Sequence, residues 1–165
     1  MLKIVQPFFA SINAAASIGE LLDVLNTLAG TFGFRSGFLI EFPDDAVYPP
    51  LVLDTHPDRH LWWDYHCDRM LDGMSDDIKH RLMTEPLFVL NQDRVVDRPS
   101  QVATLRERLD LNELTLVPIK LGDTVVGCVG FSGSVELSPT KATALQTISV
   151  MLFAQCRIVR RDSVH

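Results

Sequence analysis

The side chains able to do chemistry crowd into one stretch. Between His56 and Asp77 stand His56, His60 and Asp64, the aromatic residues Trp62, Trp63 and Tyr65, the thiol Cys67, and the neighbouring acids Asp76 and Asp77. His56, His60 and Asp64 fall four apart, a spacing that lets one helical face hold a metal ion. Pro57 opposes that reading, because proline opens a helix more readily than it continues one, which leaves His56 outside. A solvated helix face is the expected role of the three. Asp76 and Asp77 are adjacent, so their side chains diverge on a helix and form no paired-acid site. Asp76 follows Ser75 and would stand in a first helical turn. There an acid serves the helix dipole; the other reading is a ligand-binding carboxylate. Trp62 and Trp63 point different ways on a helix, one to the core and one to solvent or a partner. Trp63 is plain core or a pocket wall, and Tyr65 is core or interface. Cys67, Cys128 and Cys156 are widely spaced and form no CxxC pair. They suggest neither a zinc ribbon nor a disulfide framework, and small core residues are expected. No HExxH, GxSxG or Ser–His–Asp order occurs. Gly122-Asp123 has no phosphate-loop spacing around it. The sequence thus carries no sign of an enzyme and calls for no cofactor or metal.

These residues need elements to position them. Pro7 to Ala16 can form a short leading helix. Ser17 with Glu20 makes a capping box. It opens a helix whose Leu21, Leu22, Leu25 and Leu28 form one apolar stripe, closed at Gly30 or Gly33. Gly37 to Phe42 reads as a buried strand and Leu51 to Leu53 as a second. The pattern predicts one helix from His56 to Leu71, broken at Gly73, and another from a Ser75 cap to about Met83. Leu87 to Leu90 is a short strand, and a helix runs from Pro99 through Leu109. Leu114–Leu121 and Thr124–Ser132 form a hairpin about Gly122-Asp123. Ser138 and Pro139 supply an N-cap and an N1 proline for a long last helix, with Leu145, Ile148, Leu152 and Val159 at helical spacing. The fold class that follows is α+β, one antiparallel sheet with helices packed on its faces.

At 165 residues the chain is expected to be a single domain. A leading helix covers 1–16, a core 17–159, and a tail or the start of a linker 160–165. A hydrophobic share of 47% beside 22% charged residues excludes a disordered chain. The net charge of −6 opposes direct nucleic-acid binding, since phosphates want a basic surface. No continuous apolar run reaches the ~18 residues of a membrane helix, and the first residues lack a signal-peptide core. A cytoplasmic protein without membrane contact is expected.

Two known families match these stretches in order and texture. "LTLVPIKLGDTVVGCVGFSG", followed by the Ser-Pro-capped helix, resembles the end of a GAF domain. "PPLVLDTHPDRHLWWDYHCDRMLDGMSDDIKHRL" and "ELLDVLNTLAGTFGFRSGFLIEF" resemble the autoinducer-binding domain of LuxR-type quorum-sensing transcriptional regulators, a GAF-like fold. The resemblance covers Ser17 to Val159. It implies an α-β-α sandwich with a central antiparallel sheet of about five strands and helices on both faces. It further implies a small-molecule sensor for an N-acyl homoserine lactone or a similar amphiphilic signal.

Carried over residue by residue, the resemblance puts Trp63 and Asp76, thirteen apart, at the family's pocket Trp and lactone-amide Asp. The indole N–H of Trp63 would bond the lactone carbonyl while its ring walls the head group. Asp76 would accept from the amide N–H, a charge-assisted bond of ~1.5–3 kcal/mol. The family's pocket Tyr falls on Cys67, with Tyr65 two residues earlier. The Ser or Thr of its last strand falls on Gly130, with Ser132 two residues on and facing the same side. Trp63, Asp76, Tyr65, Cys67 and Ser132 are therefore the candidate ligand-binding set, with Asp76 or Asp77 as the inward carboxylate. An empty pocket would leave that carboxylate unpaired, making binding and folding one equilibrium. In the family a helix-turn-helix DNA-binding domain follows the sensor. Its absence from this chain implies either a sensor cut from a regulator or a stand-alone modulator, pairing as a homodimer or as a heterodimer with a related regulator. The competing expectation is a GAF-like dimerisation or protein-interaction module without a lactone. An enzyme on the same scaffold ranks last.

Overall fold

The computed structural model describes residues 1–43, 50–66, 74–92 and 101–163. Helix α1 spans Leu2–Ala14, five residues earlier than the expected start at Pro7, which lies inside it. Pro7 cannot donate to the carbonyl four residues back, an interior cost of about 3 kcal/mol. Packing offsets it: Phe8 and Ile12 are buried, and Ile4 and Val5 lie against the same core. The capping box forms as expected. Ser17 Oγ accepts from the Glu20 N–H at 3.2 Å, and the Glu20 carboxylate accepts from the Ala16 N–H at 2.6 Å. Together they start α2 (Ile18–Thr31), and Gly33, at φ +88°, turns the chain out of it.

The five strands are β1 (Ser36–Glu41), β2 (Val52–Asp54), β3 (Phe88–Asn91), β4 (Glu113–Leu121) and β5 (Thr124–Ser132). They form one open sheet in the order β2-β1-β5-β4-β3, with every pairing antiparallel. The β4–β5 hairpin turns on Gly122, whose φ of +61° suits a residue without a Cβ. The pairing slips once, between Ile119 and Lys120.

Alternation along the strands sends side chains to two separate cores. Leu39, Val117, Val129 and Phe131 face α1, α2 and the last helix, α6 (Pro139–Ser163). Phe38, Ile40, Leu116 and Cys128 face the other way. That second layer is closed by Trp63 of α3 (His60–His66), by Leu82 of α4 (Asp76–Thr84), and by Leu109 and Leu111 just after α5 (Gln101–Arg108). The expected α+β class, with about five antiparallel strands and helices on both faces, is thus the observed one.

The start of α3 differs from expectation. The helix predicted from His56 begins at His60, because Asp54 captures the His56 N–H at 2.8 Å and His56 Nδ1 captures the Asp58 N–H at 3.2 Å. Such Asx-type bonds hold the backbone in a turn. The predicted continuation beyond residue 66 lies outside the described residues, as do 93–100 at the expected start of α5. Helix α6 includes residues 160–163. Arg157 Nε and Arg160 Nη2 each reach the Glu41 carboxylate at 2.9 Å, which ties the last turns of α6 to β1. Helix α6 is also long and apolar enough to span a bilayer by composition, although its longest unbroken apolar run is only Val150 to Ala154. Its Leu145, Ile148, Leu152 and Cys156 are fully buried against the sheet and α1, as in the core helix of a sheet protein.

Candidate functional site

The polar end of the second layer is built by a short local sequence. Strand β2 ends at Asp54, the chain turns through His56 and Pro57, and Arg59 stands just before α3, its carbonyl accepting the Trp63 N–H at 3.2 Å. Arg59 and Trp63 are four apart, so they lie on one face of the helix start. The turn folds that face back over Asp54.

Asp54 is the centre of the cluster. Its Oδ2 accepts from Arg59 Nε at 2.8 Å and from the Trp63 indole N–H at 2.6 Å. Its Oδ1 accepts from Arg59 Nη2 at 2.6 Å and from the His56 N–H at 2.8 Å. The ion pair is bidentate, the strongest geometry available to arginine and a carboxylate. It is also dry: the Arg59 side chain is 0% exposed and that of Asp54 6%. A charged side chain is rarely buried this completely unless it is paired.

Arg59 reaches across the sheet as well. Its Nη1 donates to Ser132 Oγ at 2.7 Å, and to the Leu109 carbonyl at 3.3 Å. Its guanidinium lies 5.4 Å from the Phe38 ring centroid, in cation–π range. Phe38 in turn packs on Trp63, ring centroids 5.0 Å apart. Ser132 Oγ also accepts from Ser36 Oγ at 2.9 Å and donates to the Asp110 carbonyl at 2.8 Å. Asp110 adopts φ +58°, a left-handed geometry that Asp tolerates better than most residues. Its carboxylate is gripped by Arg35 at 2.7 and 2.8 Å, and that bond holds its carboxyl below the usual range against the opposing effect of burial.

The predicted residues are distributed unevenly. Trp63 is buried and Ser132 fully so, and the two are joined through Arg59. Asp76 and Asp77 are both exposed in the first turn of α4, behind the Ser75 cap that accepts the Ile78 N–H at 3.3 Å. No hydrogen bond joins either acid to Trp63, and the carboxylate that the indole addresses is Asp54. The exposed acids fit the helix-end role. Tyr65 is in α3, with its side chain outside the described residues, and Cys67 lies outside them altogether. Gly130 explains one departure from the family pattern. It pairs with Phe38 across the sheet, and the Phe38 ring fills the space that a Cβ at Gly130 would need.

Asp54, Arg59, Ser36 and Asp110 were missed by the sequence reading. A signal existed: an acid at a strand end, then an arginine and a tryptophan four apart. A single helix from His56 obscures it, because the turn that brings Arg59 back over Asp54 is then absent. Chemically the cluster is a closed polar network. One carboxylate, one indole N–H and one hydroxyl converge at the polar end of an apolar layer.

The fold and this layer define a GAF-like α+β domain, and known structures agree. The N-acylhomoserine lactone-dependent LuxR-family transcription factor CepR2 from Burkholderia cenocepacia is similar at TM-score 0.58 and 16% identity, over 94% of this chain and 92% of that one. SdiA from Escherichia coli is similar at TM-score 0.63 and 12% identity, over 96% of this chain and 66% of that one. SdiA in complex with octanoyl-rac-glycerol gives the same TM-score of 0.63. The phycoerythrobilin-bound GAF domain of a cyanobacterial phytochrome is similar at TM-score 0.55 and 14% identity, over 98% and 96%. At these identities the likeness is one of fold. No family model matches the chain, and no curated protein matches it in sequence.

Proposed function

We propose that the chain is a small-molecule sensor domain of the LuxR autoinducer-binding type, taking an N-acyl homoserine lactone or a similar amphiphile on the second face of the sheet. The observation that carries this reading is Trp63. It is buried, its ring closes the apolar layer beside Phe38, and its N–H meets a carboxylate at the polar end. The tail would lie along that layer, gaining ~0.8 kcal/mol per buried methylene. Trp63, Asp54 and Ser132 would face the head group, with Asp54 in the role first given to Asp76. Likeness of fold to CepR2 and SdiA supports the choice of ligand class. In this reading the domain works in the cytoplasm as half of a dimer, with a second copy or a related regulator, and serves transcriptional control. The exposed Leu2, Phe9, Val150 and Ile158 on α1 and α6 supply apolar surface for such pairing. No catalysis is proposed.

A second reading is an interaction module without a small ligand. One observation favours it: Asp54, Arg59, Trp63 and Ser132 already satisfy one another. Thermal melts of the purified protein with a panel of acyl-homoserine lactones separate the two. Ligand at a hundred times its Kd adds ~2.7 kcal/mol, which for this size is roughly 5–10 °C in Tm. A shift for one acyl length supports the sensor. No shift across the panel leaves the interaction module.

A further inference from the structure

We infer that Arg59 is a self-ligand: its guanidinium occupies the polar end of the site, so the domain is complete without a signal and a head group enters only by displacing it. The inference rests on the sensor reading for the identity of the site. It deepens that reading by naming the residue that sets when and what the site can bind.

The argument is one of hydrogen-bonding capacity. A carboxylate offers about four acceptor positions. Asp54 uses four, two of them on Arg59, one on the Trp63 indole and one on the His56 N–H. Ser132 Oγ accepts from Arg59 and Ser36 and donates to the Asp110 carbonyl, which exhausts a hydroxyl. An amide N–H arriving at Asp54 therefore finds no free lone pair while Arg59 is in place. The guanidinium also fills the apolar side of the position, lying over Phe38. It has the planar shape, paired donors and aromatic stacking face that satisfy Asp54 and Ser132 and cover Phe38.

This reverses the expectation drawn from the family, in which the carboxylate of an empty site is unpaired and folding waits for ligand. Here the compensating charge is covalently attached. A ligand must compete with a group tethered beside its own partners. The apparent affinity then falls by the fraction of molecules in which Arg59 has left.

The test begins with the wild-type protein made without any lactone. It is expected to be soluble, free of a co-purifying small molecule by native mass spectrometry, and to melt in one cooperative transition. Solubility only when a lactone is supplied during expression would overturn the inference and leave the sensor reading standing. The second comparison is Arg59→Ala. Methylguanidinium at millimolar concentration is expected to raise its Tm more than equimolar methylammonium does, and to leave the wild type unmoved. An equal response of variant and wild type overturns the inference. In lactone titrations, Arg59→Ala is expected to bind about tenfold more tightly than wild type. Equal affinity overturns the self-ligand, whereas no binding to either protein, with methylguanidinium rescue intact, sinks the sensor reading alone. Should Arg59→Ala not fold, the wild-type comparison still decides the matter.

Discussion

Gly130 and Phe38 are antiparallel partners in the sheet, and the Phe38 ring occupies the volume above Gly130 where any other residue would place its Cβ. The pair fixes how deep the second layer can be. Gly130→Ser would force the ring out of that position and against Arg59 and Trp63. Overpacking of this kind costs typically 1–3 kcal/mol. Urea denaturation should show that loss, and Phe38→Leu in the same chain should recover part of it. Strict additivity of the two substitutions would show that the ring does not depend on the glycine.

The Trp63–Asp54 hydrogen bond separates shape from polarity. Trp63→Phe keeps an aromatic ring beside Phe38 and removes only the N–H that Asp54 accepts. A hydrogen bond to a charged group is worth ~1.5–3 kcal/mol, and that is the expected loss. Asp54→Asn should be worse, at about 3–5 kcal/mol, because it leaves the Arg59 charge buried without its partner. Chemical denaturation of both variants checks the order.

Acid should loosen the clamp between β1 and α6. Burial alone would raise the Glu41 carboxyl, but hydrogen bonds from Arg160 and the Leu51 N–H, with the charges of Arg160 and Arg157, hold it below its ordinary 4.5. Asp110, held by Arg35, is likewise below its ordinary 3.8. A carboxylate with a lowered folded pKa binds protons more readily when unfolded. Its stabilisation is therefore full above the unfolded value and lost as the pH falls through the folded one. Stability should decline below pH 4.5. Glu41→Gln should flatten the upper part of that decline in urea titrations across the acid range.

Two thiols should be inert in the folded protein. Burial pushes Cys128 and Cys156 up to about 12. At about pH 8 an ordinary thiol of pKa near 8.5 is partly ionised and alkylates. Iodoacetamide followed by peptide mass spectrometry should find both cysteines unmodified until denaturant is added. Rapid labelling of Cys128 in native buffer would mean that the second layer opens readily.

Local signals fixed much of the fold in advance. The Ser17 cap, the Leu21–Leu25–Leu28 stripe, the hairpin about Gly122 and the Ser138-Pro139 start each act over a few residues, and each appears in the structure. Pro7 misled because its cost is local and its compensation, the packing of Ile4 and Val5, is tertiary. The site was less legible for the same reason. Trp63 and Ser132 are legible only through the family resemblance, Trp63 by its spacing to Asp76 and Ser132 by its place on the last strand. Arg59 carried only the weak signal of standing four residues before Trp63, and its burial is not written locally. That is settled by the turn at Pro57, by Ser132 seventy-three residues away, and by the glycine that lets Phe38 lie flat.

Strand β1 has a consequence for rigidity. It presents Phe38 to Arg59 and Trp63 on one side of the sheet and Glu41 to Arg157 and Arg160 on the other. The two residues are three apart in an extended strand, about 10 Å. Hydrogen bonds to β2 and β5 keep that length stiff. Phe38 and Glu41 thus link the second layer to the last two turns of α6 through one rigid segment. The same strand that carries Phe38 anchors a helix of 25 residues, about 37 Å long.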